Sequence, residues 1–519
     1  MKLHAEIVLT LGLLLGISPG DTARAQKTEA MPVDVGQRLE LFVDDLLVDK
    51  LDGAEMRLHH PQPMPLAESP ISGGYMTVIK DRDEHGTLYR AWYRARDPDH
   101  TLGGRWHSHL GTGGPQDLYR YAESRDGHEW SFPNLNIFEI KAKNGDRFMP
   151  EHGHNNVVFR TPPFAHNFAP FLDKRQDVPS TERFKAVAGV ERPANNYINA
   201  ALERGATDEE IKQFGYPPDL PAGLYAFTSP DGIHWQRASD KPAITVSRGK
   251  AFDSQNVAFW SETEQQYVAY VRTWRNPFTG KGGQGAGLRT VSRSTSPDFI
   301  NWSEPVGMEP NMPGEHLYTS QTHPYFRAPH IYIATPTRFM PDRGDSTDIL
   351  FMSSRAGSTS YDRLFTEAFI RPGLDPARWG NRSNYVAWNV VPTGEAEMSI
   401  YHAKSGIRYV LRTDGFISIH AGHEEGEMLT RPLIFSGGRL ILNVSTSAAG
   451  YLKVEIQDAD GNPVPRFTLG DCEPIIGDAI EMPVIWKDDP GLQGLAGRPV
   501  RLRFEMKECD LYSMRFQNK

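Results

Sequence analysis

Short apolar runs alternate along the chain with stretches rich in Gly, Pro, Asp and Asn, and the runs recur in groups of three. Runs dominated by Val, Ile, Tyr, Phe and Thr and bounded in this way carry strand and turn chemistry. The first group covers 75–81, 88–96 and 118–124, the second 156–161, 183–190 and 223–228, and the third 256–261, 267–274 and 288–294. Two weaker groups follow, over 324–327, 330–337 and 348–354 and then 385–391, 398–403 and 408–413. The first three groups end on one phrase: Ser124-Arg-Asp-Gly-His-Glu-Trp130, Ser229-Pro-Asp-Gly-Ile-His-Trp235 and Ser296-Pro-Asp-Phe-Ile-Asn-Trp302. An Asp-Gly turn after a strand, followed by a large aromatic able to cover it, ends one sheet and starts the next. A three-strand unit recurring with this ending announces a propeller or β-array.

The expected fold is therefore all-β: a five-bladed β-propeller over 26–420, with sheets arranged radially so that few edges are exposed. The N-terminal segment Leu39-Glu-Leu-Phe-Val-Asp-Asp45 is expected to pair with the last blade and close the ring. Beyond about Asp414 the runs 438–444, 450–456 and 499–505 alternate cleanly, as strands wet on one side do. Residues 421–519 are accordingly expected to form a separate β-sandwich. Helix is scarce; the clearest candidate lies around 197–214, where Thr207-Asp-Glu-Glu210 reads as a capping box.

The opening residues change the picture of where the chain works. Lys2, the apolar run 7–17 and Ala23-Arg-Ala25 read as a removable export signal over 1–25, too short to span a bilayer, so a secreted or periplasmic protein is expected. No later run is long and apolar enough to cross a membrane. A formal net charge of −9 without a basic stripe argues against nucleic acid and anionic membranes as partners. Cys472 and Cys509 are the only cysteines and could pair in an oxidising compartment. They are too few for a zinc site, and the paired histidines His59-His60 and His107-Ser-His109 fit surface loops, so no metal or cofactor is assigned. The oligomeric state is not set by any feature of the sequence.

Four stretches carry a resemblance: Leu41-Phe-Val-Asp-Asp-Leu-Leu-Val48, the Ser-Pro-Asp-Gly-Ile-His-Trp phrase, Phe252-Asp-Ser-Gln-Asn-Val-Ala-Phe259 and Asp414-Gly-Phe-Ile-Ser-Ile419. Together they resemble a family of exported bacterial proteins similar to the five-bladed propeller glycosidases, the superfamily of glycoside hydrolase families 32 and 43. The resemblance implies three acidic residues around a central pocket. The matching stretches are Glu68-Ser-Pro, Asp253-Ser and Glu315-His-Leu, with Glu68 standing where family 32 carries Asp.

Glycoside cleavage needs two carboxyl groups flanking the bond, and a third can hold the acid's pKa up. Asp253 and Glu315 each immediately precede a strand expected to line the axis, which puts a side chain at a pocket mouth. Glu68 is the third candidate, and Asp173 and Glu397 are alternative carboxylates. His154, Asn155, His166, His316, Tyr318 and His323 lie near the same strand starts and are candidates for binding sugar hydroxyls. The expected activity is hydrolysis of a poly- or oligosaccharide; the alternative is a carbohydrate-binding propeller without hydrolysis. Sialidases are set aside because their box reads Ser-x-Asp-x-Gly-x-x-Trp, whereas Gly127 and Gly232 follow the Asp directly.

Overall fold

The computed structural model describes residues 31–97, 116–140, 152–275 and 287–518, apart from positions 216, 218, 248 and 381. The expected export signal over 1–25 and the His107-Ser-His109 stretch lie outside the described residues. The architecture is all-β. The insertion read as helical forms Ala194–Glu203 and Asp208–Phe214. Thr207 caps the second of these, accepting from the Glu210 N–H at 3.2 Å and donating its own N–H to the Glu210 carboxylate at 2.8 Å.

Gly74–Asp83, Gly86–Arg96, Asp117–Ser124 and Val157–Phe159 form the first antiparallel sheet in that order. The second runs Ala169–Leu172, Phe184–Val190, Gly223–Ser229 and Gln236–Arg237, and the third Val257–Ser261, Gln266–Arg275, Leu288–Ser296 and Val306–Gly307. One expectation fails here. The run 156–161 is not an inner strand of the second sheet; Val157–Phe159 is the outer strand of the first, and Pro162-Pro163 stops it before Ala169 opens the next inner strand.

The fourth group divides in two. His316–Leu317, Thr337–Met340 and Ser346–Ile349 form one sheet, and His323–Tyr325, Ala328–Ala334 and Met352–Arg355 another. Pro336, which has no N–H to donate, falls between Ala334 and Thr337 and interrupts the long strand expected there. The fifth group gives Val391–Pro392, Glu397–Tyr401 and Arg408–Arg412, extended by Gln62–Pro63 from the N-terminal part of the chain.

The repeated phrases form equivalent turns. In each, the Ser hydroxyl donates to the Asp carboxylate at 2.9–3.1 Å and accepts the N–H of the residue after the Asp at 2.9 Å. That residue is left-handed in all three, with φ of +74° at Gly127, +78° at Gly232 and +71° at Phe299. Each turn docks on the preceding sheet. The Gly232 carbonyl accepts from Trp92 of the first sheet at 2.7 Å, the Gly127 carbonyl from Tyr401 of the fifth at 2.5 Å, and the Phe299 ring packs on Phe171 of the second at 5.5 Å.

Two buried glutamines tie the inner strands together at the axis. Gln255 donates to the Met76 carbonyl of the first sheet at 3.2 Å, and Gln321 donates to Gln255 at 3.0 Å and to the Val386 carbonyl at 2.7 Å. Trp388 closes the circuit by donating its N–H to the Met76 carbonyl at 2.8 Å. Inside a low-dielectric core such amides must be satisfied, so they fix the relative heights of the strands they join.

Ring closure by Leu39–Asp45 is not what the structure shows. Glu40–Leu41 pairs with Val500–Gln517 in a ten-stranded sheet that also takes Val33–Gly36, Val48–Asp52 and Ala54–Leu58. Glu40 and Asp44, both buried, instead grip Arg355 at 2.7 Å each, which holds this apolar segment against the fourth group. The same sheet carries the long strands Arg439–Asp458 and Val500–Gln517 over a core that includes Leu452, Val454, Leu502 and Phe504. Cys472 and Cys509 are free, buried thiols rather than a bridge; burial pushes the Cys472 thiol up to about 11 and that of Cys509 higher still.

Candidate functional site

The inner strands share a direction, and the residues at their starts converge. Tyr75 opens the first, His166 precedes the second, Asp253 the third, Tyr318 sits within the fourth group and Tyr385 precedes the fifth. Tyr385 packs edge-on against Tyr318 at 5.5 Å and Tyr75 at 6.2 Å, and Tyr75 meets the His166 ring at 5.6 Å. Two of these residues owe their position to unusual backbone. Phe252, with φ of +70°, turns the chain immediately before Asp253, and Tyr75 itself has φ of +35°. Non-glycine residues held there cost on the order of 1–3 kcal/mol and persist where the surroundings over-determine them. At Phe252 the surroundings are explicit: its carbonyl accepts from Asn167 at 2.7 Å and its N–H donates to the Arg272 carbonyl at 2.9 Å.

The middle strands, antiparallel to the inner ones, end at the same place and bring cations. Arg94 lies over the Tyr75 ring at 4.3 Å and donates to the His166 carbonyl at 2.9 Å. It fits because Gly74 faces it across the strands; a Cβ at that glycine would stand 3.1 Å from the guanidinium. Arg272, 3% exposed, approaches the Asp253 carboxylate at 3.5 Å and donates to the Tyr318 carbonyl at 2.8 Å. Arg289 stacks over Trp274 at 4.5 Å, and its N–H donates to His316 Nδ1 at 3.1 Å.

The electrostatics follow from this crowding. Asp117, 2% exposed, accepts from His166 Nδ1 at 2.8 Å. With the Nδ1 proton committed to Asp117, the imidazole has Nε2 as an acceptor, with Arg94 Nη1 3.3 Å from it. Burial, with Arg94 beside it, lowers the His166 pKa, so the ring is neutral near pH 7. Against burial, the bond from His166 holds the Asp117 carboxyl below the usual carboxylate range. His316 is lowered to about 4 by burial and by Arg289 and Arg272. Burial raises the Tyr75 and Tyr385 phenols well above 10, so both are donors throughout the neutral range.

Of the residues singled out from the sequence, the structure brings together Asp253, His166, His316 and Tyr318. Glu315 is adjacent in sequence to His316 but turns the other way, as successive strand residues do; its carboxylate is gripped at both oxygens by Arg363, at 2.6 and 2.9 Å. Asp173 is buried between sheets, accepting from Tyr267 at 2.7 Å and pairing with Lys185 at 3.1 Å. His323 bridges the Gln321 carbonyl and the Val390 N–H. Glu397 pairs with Arg408 at 2.6 Å, and Glu68 is exposed in the segment before the first sheet. His154 and Asn155 precede the outer strand of the first sheet. There His154 contacts the Phe132 carbonyl and Asn155 donates to that of Phe138, away from the axis.

Sequence reasoning missed Arg94, Asp117, Arg272, Trp274, Arg289 and Tyr385. A signal was present: strand runs that end in Tyr-Arg-Ala-Arg and Val-Arg-Thr-Trp put guanidinium groups where alternation alone offers no reason for them. A second space, a cavity of about 150 Å³, opens at the opposite ends of the inner strands, lined by Lys80, Leu172, Trp260, Phe326 and Pro392 among others. Glu262 is the one carboxylate in its lining, so it lacks the paired acids that glycoside cleavage uses.

No family model matches the chain, and no curated protein matches it. Among solved structures it is similar to a family 43 arabinoxylan arabinofuranohydrolase from Bacillus subtilis, with 12% identity over 88% of this chain and 97% of that one and a TM-score of 0.36. It is similar to a family 32 β-fructofuranosidase from Bombyx mori, with 10% identity over 89% and 95% and a TM-score of 0.37. A protein described as a glycoside hydrolase matches at 11% identity over 69% and 91%, with a TM-score of 0.39. Similarity at this level assigns neither activity nor substrate.

Proposed function

We propose that the protein is a glycoside hydrolase acting on a poly- or oligosaccharide at the pocket around Asp253. The observation that carries the reading is the state of Asp253. It is buried to 8% exposure, held by a left-handed turn, and its Oδ1 has no hydrogen-bond partner among the described residues. That oxygen faces Arg272 Nε at 3.5 Å without a hydrogen bond to it, so a carboxylate with unused accepting capacity lies among a guanidinium, phenols and an imidazole, a setting that suits a polyol or developing positive charge. Trp274 and Tyr318 add aromatic surface that a sugar ring would share with Arg272 and Arg289.

In this reading ionised Asp253 faces the anomeric carbon and stabilises the positive charge that develops on the sugar there. Neutral His166, oriented by Asp117, takes a proton from the attacking water, and a phenol, Tyr75 being the nearest candidate, donates to the leaving oxygen. One water is consumed: its hydroxyl ends on the anomeric carbon, a proton on the leaving oxygen, and the proton taken by His166 passes through solvent to the phenolate, which restores both groups. Glu315 has no part in the step, because Arg363 occupies both of its oxygens. The same reading takes 26–420 as a five-bladed propeller, 421–519 as a sandwich, and the chain as exported after loss of 1–25. Binding without hydrolysis is the second reading, favoured by one observation: Asp117 is tied to His166, so among the described residues no second carboxylate in the pocket is left untied opposite Asp253.

The test is release of reducing ends from a panel of oligosaccharides by the wild type and by Asp253→Asn. Loss of a group of this kind is expected to slow turnover by about 10²–10⁴. A folded Asp253→Asn protein that cleaves at the normal rate overturns the assignment. Glycans that bind the wild type but are never cleaved give the second reading.

A further inference from the structure

The pocket holds more positive charge than its carboxylates balance. Arg382 has Asp345 at 3.4 Å and Lys250 has Glu191 at 2.7 Å, so these two cations at the rim are paired. Inside, Arg94, Arg272 and Arg289 face Asp117 and Asp253, and Lys404 stands at the exposed rim, donating to the Arg382 carbonyl at 2.9 Å. Arg289 and Lys404 have no carboxylate within salt-bridge distance among the described residues.

The geometry makes the excess sharper. Arg272 and Arg289 lie over the same two rings: Arg272 at 4.7 Å from Tyr318 and 5.3 Å from Trp274, and Arg289 at 5.4 and 4.5 Å. Two like charges on shared π faces repel one another, and ring quadrupoles do not replace an anion. Lys404 stands over Tyr385 at 5.9 Å, beside the Tyr75 ring that carries Arg94. Arg272 Nε and Nη2 and Arg289 Nε are buried with no hydrogen-bond partner among the described residues. Arg272 Nη1 is met by the Tyr318 carbonyl and Ser254, and Arg289 Nη1 by His316, but the remaining buried N–H groups are unmet, and each unmade charged hydrogen bond forfeits more than a neutral one.

We propose that the substrate of this pocket is an anionic glycan, whose carboxylate or sulfate group is received by Arg272 and Arg289, with Lys404 at the rim adding to the attraction. The proposal rests on the carbohydrate reading of the same pocket and adds the charge of the sugar. A planar carboxylate or a sulfate supplies the acceptors that the two guanidinium groups lack, and it relieves their mutual repulsion. Burial and Arg272 lower the Arg289 pKa, and burial with Arg94 and Arg382 lowers that of Lys404. Asp253, on the far side of Arg272, stays available to the sugar's neutral end.

Titration calorimetry tests this with the intact protein and three probes: a uronate-containing oligosaccharide, a sulfated oligosaccharide, and neutral counterparts prepared by carboxyl reduction or desulfation. One anionic arm, which names the source of the charge, is expected to bind about tenfold to a hundredfold tighter than its neutral counterpart, the worth of one charge-assisted hydrogen bond. The margin is expected to shrink as salt rises. Arg289→Ala should erase the margin between charged and neutral probes. Lys404→Ala, at the exposed rim, should narrow it without threatening the fold. Equal affinity for charged and neutral probes overturns the proposal, as does an Arg289→Ala protein that keeps the full margin. Anionic binding without cleavage supports the charge preference and refutes hydrolysis; cleavage of neutral glycans with no preference does the reverse.

Discussion

Replacing Gly232 by Ala tests how the repeated turns hold the sheets together. Gly232 has φ of +78°, and a Cβ built there would stand 2.7 Å from Cζ2 of Trp92. Its carbonyl also receives the Trp92 indole N–H at 2.7 Å and that of Trp235 at 3.0 Å, so the methyl group cannot move away without disturbing both bonds. The left-handed conformation alone costs an L-residue about 1–2 kcal/mol. Forcing a methyl group into a packed contact adds roughly 1–3 kcal/mol. Gly344→Ala is the internal control: with φ of +65° and nothing within 4 Å of its Cβ, it bears the backbone term without the clash. Urea unfolding followed by tryptophan fluorescence should place Gly232→Ala below Gly344→Ala by about the packing term, 1–3 kcal/mol. If the two variants lose equal stability, the turn does not dock on the first sheet in the way described, and the explanation of the repeated phrase fails.

Glu315→Gln should lower stability by about 3–5 kcal/mol, since it strips a buried Arg363 of its partner, while the folded fraction keeps turnover within a few-fold; a selective loss of rate would return Glu315 to the mechanism. Acid should destabilise the protein through its buried histidines. Burial lowers His323 to about 4, and burial, aided by Arg378, lowers His402 to about 3, so between pH 6.5 and 4 the unfolded chain binds protons that the folded chain refuses. Stability is then present above pH 6.5 and lost as the pH falls, by up to roughly 3 kcal/mol per site. An unfolding midpoint unchanged between pH 7 and 5 would contradict that.

What could be read from the sequence was local. Strand runs, the Asp-centred turns and the Thr207 cap depend on residues within a few positions of one another, and the structure has them. Asp253, His166, His316 and Tyr318 were also legible, because a residue at the start of an inner strand reaches the axis wherever the strand is placed. The failures were of pairing. The run 156–161 has the composition of a strand in either of two sheets, and only the stop at Pro162-Pro163 shows that it completes the first; His154 and Asn155 were misplaced with it. Leu39–Asp45 reads as a closing strand until Arg355, more than three hundred residues on, claims Glu40 and Asp44. Glu315 was misread because one step along a strand reverses the face, so its neighbour His316 enters the pocket while Arg363 takes Glu315. The arginines of the site escaped notice because their meaning lies in each other's company, which no window of sequence displays.

The central claim is that carbohydrate is processed at the Asp253 end of the inner strands. A crystal structure of Asp253→Asn with an oligosaccharide selected by the hydrolysis panel tests it most directly. The account predicts a sugar ring over Trp274 or Tyr318, its anomeric carbon facing residue 253 and an oxygen within hydrogen-bond reach of His166 Nε2. A sugar seated instead in the cavity at the opposite strand ends, against Lys80, Trp260 and Phe326, would contradict it.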